Sequence, residues 1–145
     1  PDFNGSEEAL KIVVNEKPEI LNHNIETVER LYPLIRPQAD YRRSLELLCK
    51  VKKIDRNIKT KSGIMVGLGE IKEEIVEAMT QLRNVFCDIL TIGQYLRPSE
   101  KHYPVIRYYH PDEFKQMKEI GEKLGFLEVK SSPLVRSSYQ LVDCF

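Results

Sequence analysis

Little in the chain points to covalent cross-linking, membrane insertion or polyanion binding. Cysteine is scarce: Cys49, Cys87 and Cys144 are the whole set. They lie far apart, without a C-x-x-C pair and without histidine at metal-ligand spacing. An odd number of scattered thiols argues against a disulfide framework and suits a reducing, cytoplasmic compartment. Cys49 in LELLCKV and Cys87 in NVFCDIL have apolar neighbours, as buried structural thiols do. An excess of one charge is also missing. The 22 Lys and Arg residues balance 22 Asp and Glu residues, whereas a general nucleic-acid binder carries a basic surplus. No apolar run approaches the roughly 20 residues that cross a bilayer. The opening PDFNGSEEAL is polar and acidic, so neither a signal nor a transit peptide is expected. No repeat of fixed period and no low-complexity tract is present.

What remains is globular in character. The 145 residues are 41% hydrophobic and 30% charged, enough for one domain or part of a larger one with a real core. Ser6 is placed to cap a helix through SEEALKIVV, with Glu7 and Glu8 at its positive end, and Pro18 stops it. EILNHNIE reads as a strand, and Glu26 to Tyr32 as one or two helical turns. Pro33 and Pro37 mark a loop, and Asp40 is an N-cap for YRRSLELLCKVKKI. Ile71, Ile75, Ala78, Met79 and Leu82 form the apolar stripe of a further helix. Asp112 opens or caps EFKQMKEIGEKLG, which Gly125 ends. Strands are expected near 19–25, 58–66, 88–94 and 126–130. Their alternation with helices implies a parallel sheet with right-handed crossovers. The chain starts on a loop, PDFNG, as though a strand had just ended. Strand 19–25 would then be a bare edge. The pattern is that of the C-terminal part of a barrel-like α/β domain.

Three segments could carry chemistry. In ILNHNIET, Asn22, Asn24 and Glu26 share one strand face while Leu21, His23 and Ile25 share the other. Such a polar row either faces solvent or lines a cavity at the C-terminal mouth of the sheet, where amide and carboxylate groups suit a ribose. In SGIMVGLGE, Gly67 and Gly69 offer either a close backbone approach to a ligand or a plain strand-to-helix turn. The segment is neither a Walker loop nor a dinucleotide fingerprint. In LVRSSYQ, Arg136, Ser137, Ser138 and Tyr139 could dock in a pocket or stay solvated. Charge is also uneven. Residues 41–62 hold eight Lys and Arg against two acids, a solvated helix face or a dock for an acidic protein.

Taken together and in order, PDFNG, LNHNIETV, RPQADYRRSLELL, TKSGIMVGLGE, ILTIGQYLRPS, KHYPVIRYYHPDEF and PLVRSSY resemble the lipoyl synthases, over essentially Pro1 to Gln140. HNIET and GLGE are also similar to biotin synthase, which has no RSSY tail. The resemblance implies an α/β fold, the C-terminal half of a partial (β/α)6 TIM-type barrel, with a C-terminal RSSY tail over residues 134–145. It implies radical S-adenosylmethionine chemistry that inserts two sulfur atoms, at C6 and C8, into a protein-bound octanoyl chain. One 4Fe–4S cluster would reduce S-adenosyl-L-methionine and an auxiliary 4Fe–4S cluster would supply sulfur. An octanoylated lipoyl domain or carrier protein, an iron–sulfur carrier and an electron donor are the implied partners. By the same resemblance Asn24 and Glu26 lie near the ribose and methionine of S-adenosyl-L-methionine, and Gly63, Gly67 and Gly69 flank it. Ser138 matches the serine ligand of the auxiliary cluster, with Arg136, Ser137 and Tyr139 as motif neighbours.

The family carries two three-cysteine motifs upstream of PDF, and this chain contains neither. It is therefore expected to be a C-terminal fragment or truncated product that assembles no cluster alone. Two other readings are a biotin-synthase-like sulfur inserter and a non-catalytic module whose basic face, including Lys52 and Lys53, binds an acyl-carrying domain.

Overall fold

The structure is a computed structural model that describes residues 3–137. Ser6 Oγ accepts from the Ala9 amide (3.3 Å) and starts α1, Glu7–Asn15. Asp40 Oδ1 accepts from the Arg43 amide (3.1 Å) and starts α3, Tyr41–Ile54. Helix α4, Lys72–Asn84, begins where Glu74 turns back to accept from the Ile71 amide at 3.0 Å. Helix α5, Pro111–Leu124, ends at Gly125 with φ +103, a left-handed cap that glycine adopts without a Cβ clash.

Two expectations about helix ends change. The cap of α5 is His110, not Asp112: His110 Nδ1 accepts from the Asp112 amide at 3.1 Å, and Pro111 takes the first helical position. Pro33 is not in a loop either. After a 3₁₀ turn, Glu29–Leu31, it sits in the first turn of the short α2, Tyr32–Ile35, where a missing N–H costs nothing.

The four strands are β1 (Ile20–Asn22), β2 (Lys59–Val66), β3 (Ile89–Gln94) and β4 (Glu128–Ser131). All are parallel and lie in sequence order β1-β2-β3-β4. A sheet that adds each new strand beside the last, without reversal, is a barrel wall; a doubly wound sheet would switch direction. The wall is not closed, and β1 is one edge of it. Strand β1 is shorter than the expected 19–25: Asn24 to Glu26 leave the ladder, and only an isolated bridge joins Glu26 to Ile64.

One face of the sheet carries the core. Ile64 and Val66, Leu90 and Ile92, and Val129 pack against Leu45 and Leu48 of α3, Ile75, Met79 and Leu82 of α4, and Phe114 and Met117 of α5. A smaller cluster joins Leu10 and Val14 of α1 to Leu21, Leu47, Val51 and Ile58. Alternation puts Lys61, Gly63, Met65, Thr91 and Gly93 on the opposite, inner face. No helix among the described residues is long and apolar enough to cross a membrane.

At the N-terminal end of the sheet, Asp88 ties three strands together. Its Oδ2 accepts from Lys52 Nζ (2.6 Å) and the Thr60 amide (2.9 Å), and its carbonyl accepts from the Leu127 amide (2.8 Å). Lys52 Nζ also donates to the Ile58 carbonyl at 2.8 Å. Lys52 is thus spent on the fold and does not belong to a free basic face. With both side chains under one-fifth exposed, removing one partner strands the other charge in a poorly hydrated site. Asp88→Ala should cost about 3 kcal/mol in urea unfolding, the lower end for a broken buried pair.

Candidate functional site

Glu26 has φ +69, a left-handed value that a non-glycine residue rarely keeps. The Thr27 amide donates to the Ile25 carbonyl across it (2.8 Å), a tight three-residue turn that is strained unless its surroundings enforce it. Here they do. Ser62 Oγ accepts from the Ile25 amide (3.1 Å), the Gly63 carbonyl from the Glu26 amide (3.0 Å), and the Glu26 carbonyl from the Met65 amide (2.8 Å). Tyr32 donates its hydroxyl to the Ile25 carbonyl. This turn ends β1 early and aims Glu26 across the C-terminal end of the sheet.

The polar row of the sequence is real in alternation, although only Asn22 lies in a strand. Leu21, His23 and Ile25 are buried on the helix side, where His23 Nε2 meets Ser44 Oγ at 2.9 Å. Asn22, Asn24 and Glu26 line a cavity of about 650 Å³ that His23 and Ser44 also reach, with Arg36 and Gln38. Asn24 Oδ1 is buried and has no hydrogen-bond partner, and no other described group pairs with the Glu26 carboxylate. An orphaned buried acceptor is costly, so an outside donor is the natural complement.

A second cavity, about 270 Å³, shares Glu26. Gly63, Met65, Thr91 and Gly93 form its floor, and Val135, Arg136 and Ser137 its roof. A Cβ on Gly63 would lie 2.7 Å from Thr91 Oγ1 and 3.0 Å from Asn24 Oδ1; glycine is needed there for the space itself. The structure therefore brings together Asn24, Glu26, Gly63, Arg136 and Ser137. Ser138 and Tyr139 lie outside the described residues.

Gly67 and Gly69 line neither cavity. Glu70 folds back on this turn: its Oε1 accepts from the Gly67 amide (2.8 Å) and the Leu68 amide (3.1 Å), and Tyr109 Oη donates to its Oε2 (3.0 Å). The amides freed at the end of β2 are thus occupied within the chain. A Cβ on Gly67 would run into Gln94 and the Arg107 carbonyl, so this glycine lets the 95–109 loop close over the strand end. Gln94 fastens that loop, donating through Nε2 to the Arg107 carbonyl (3.0 Å) and accepting from the Tyr109 amide (2.9 Å).

Sequence reasoning passed over Thr91 and Gly93, counted Lys61 only within the basic stretch 41–62, and took Glu70 only as the end of the glycine turn. Strand alternation from Gly63 would have placed Lys61 on the inner face, and a glycine inside an apolar strand marks close backbone approach. Lys61 is buried, and burial lowers its ammonium pKa, with Glu128 opposing the shift.

Cys87 is fully buried, its thiol pKa pushed up to about 12 by burial, and donates weakly to the Thr60 and Ile89 carbonyls. Cys49 is only half-buried, less enclosed than its apolar neighbours in sequence imply. Among the described residues no group of three His, Cys, Asp or Glu side chains could hold a metal ion. These residues do not make an iron–sulfur cluster site.

An open parallel wall with its helices on one face and its cavities at the C-terminal strand ends is a segment of a TIM-type α/β barrel, a class that places its chemistry at that end. No protein-family model matches the chain. It is 62% identical over 139 residues to a lipoyl synthase of Caldanaerobacter subterraneus subsp. tengcongensis, a match covering 96% of this chain and 49% of that protein. It is 58% identical to one of Caldicellulosiruptor saccharolyticus, over 96% of this chain and 49% of that protein. It is 52% identical to one of Aquifex aeolicus, over 99% of this chain and 52% of that protein. The chain matches the C-terminal portion of the lipoyl synthases. It spans about half the length of the curated relatives it matches.

Burial raises the Glu70 pKa above the usual carboxylate range, against the lowering effect of its hydrogen bonds. The folded state then holds this proton to a higher pH than the unfolded state does. Stability is greatest below the unfolded pKa and falls as pH rises through the folded one. In paired urea titrations, the wild type should lose stability relative to Glu70→Gln between pH 4 and the folded pKa; a difference independent of pH would contradict the shift.

Proposed function

We propose that this chain provides the S-adenosyl-L-methionine-facing wall and the tail of a lipoyl synthase, a radical S-adenosylmethionine sulfurtransferase. The reaction is insertion of two sulfur atoms at C6 and C8 of an octanoyl chain carried on a lipoyl domain or carrier protein. One observation carries the reading: the HNIE turn and the VRS tail meet in a single cavity, through Glu26, Gly63, Arg136 and Ser137, in a chain 62% identical to a lipoyl synthase.

S-adenosyl-L-methionine fits the residues present. Glu26 can accept from two ribose hydroxyls, and the orphaned Asn24 Oδ1 can accept from an amino group or hydroxyl. When bound, this cofactor supplies one-electron hydrogen abstraction from an unactivated carbon. The chain's own task is to bind and orient it: the enforced turn fixes Glu26 before ligand arrives, so little ordering is left to the binding step. Two 4Fe–4S clusters, an iron–sulfur carrier and an electron donor complete the proposal, with cluster thiolates supplied from outside the described residues. Ser138 is the proposed ligand to the auxiliary cluster, and Tyr139 its motif neighbour. RSSY sets this reading above a biotin-synthase-like one.

The test is a chimera in which this chain replaces the matching portion of the Caldanaerobacter enzyme. The chimera should form lipoyl product from an octanoylated lipoyl domain. Glu26→Ala should raise its KM for S-adenosyl-L-methionine about 10- to 100-fold, the cost of losing a charge-assisted hydrogen bond. This chain alone, reconstituted with iron and sulfide, should show no cluster absorbance and form no 5′-deoxyadenosine. Stoichiometric iron on it, or an inactive chimera that folds, would overturn the proposal.

A further inference from the structure

Residues 132–137 run back over the inner face of the sheet as a strap. The Ser132 amide donates to the Ile92 carbonyl (3.2 Å), the Gln94 amide to the Pro133 carbonyl (3.3 Å), and the Val135 amide closes a turn on the Ser132 carbonyl (3.2 Å). Two further contacts hold the strap against the sheet. The first is at Gly93, where a Cβ would fall on the Val135 carbonyl oxygen, far inside contact distance. Only a strand residue without a side chain lets the strap lie this close. The second is Lys61, buried to 6% exposure, whose Nζ donates to the Ser137 carbonyl at 3.0 Å. An ammonium taken out of water is costly unless it gains strong partners. This one is placed on the inner face, 76 residues away in sequence from the carbonyl it holds. Arg136 adds bonds to the Gln94 and Val135 carbonyls (3.4 and 2.8 Å).

We propose that Gly93 and Lys61 form a two-point latch that seats the strap on the sheet, and that both are positioning residues for the ligand in the cavity the strap roofs. The proposal rests on the function proposed above for that cavity. Gly93 sets how close the strap lies, and Lys61 fixes where it ends. The strap then forms the wall facing Glu26 and closes the 270 Å³ space to a defined size. Glu128, which pairs with Lys130 at 3.7 Å, opposes the burial-driven lowering of the Lys61 pKa.

The test has two arms. In the 145-residue chain, amide exchange is measured by NMR at Ser132, Val135 and Gln94, with Ile64 and Ile92 as sheet references. Gly93→Ala and Lys61→Met should each speed exchange at the three strap-linked amides at least tenfold and leave the references unchanged. Lys61→Arg, which keeps a donor, should restore protection. Unchanged exchange at the strap, or acceleration shared equally by the references, would overturn the latch. This arm needs no cofactor, so it stands or falls apart from the proposed activity. In the chimera, Lys61→Met should lower turnover about tenfold and Lys61→Arg should retain it. Full turnover with a released strap would overturn the positioning role.

Discussion

Two side chains are missing from the inner face of the sheet, at Gly63 and Gly93, and the rest of the site is arranged around the room they leave. Gly63 pairs in register with Thr91, and Gly93 with Met65, so the gaps fall on neighbouring strands one step apart. At the first, Asn24 and Thr91 approach so closely that even a methyl group would collide with both. At the second, a returning segment of backbone lies directly on the strand. Interiors tolerate few voids larger than water. A sheet face emptied in this way is either filled by another element or left as a cavity, and this chain does both.

The enforced turn at Glu26 and the strap are the two sides of that space. Neither is held by regular pairing along its whole length. The turn is held by single bonds from Ser62, Gly63, Met65 and Tyr32, the strap by Ile92, Gln94 and Lys61. Strand β2 supplies anchors to both, which couples the placement of Glu26 to that of the tail. The convex face does a different job. Its helices bury continuous apolar stripes, and Asp88 gathers β2, β3 and β4 at the far end of the sheet. The apolar core and the cavities therefore occupy opposite faces of the sheet, as in barrel architecture.

Much of the wall was legible in the sequence because its signals are local. Ser6, Asp40 and Gly125 cap helices for reasons contained in a few residues, and Ile75, Ala78, Met79 and Leu82 show their stripe without tertiary knowledge. The polar row also followed from alternation alone. Its strand did not, because the backbone inversion at Glu26 is imposed by Ser62, Gly63 and Met65, about forty residues on. Pro33 reads as a break, yet a preceding 3₁₀ turn carries it into a helix. Asp112 reads as a cap because aspartate usually is one, but Pro111 starts the helix one residue earlier and the Asp112 amide is itself capped by His110. GLGE could not reveal that its own Glu70 takes the freed amides, nor Lys61 that a carbonyl far along the chain awaits it. Such pairings depend on topology, and no local pattern encodes them.

The strap lies against β3 and completes the cavity that Glu26 opens. Nuclear Overhauser contacts between the Gly93 α-protons and the protons of Val135 and Arg136 report this directly. The structure predicts cross-peaks to the strap from the one Gly93 α-proton that takes the place of a Cβ, with Lys61 side-chain protons close to Ser137. Gly93 α-protons that show only intra-sheet contacts, with none to the strap, would contradict it.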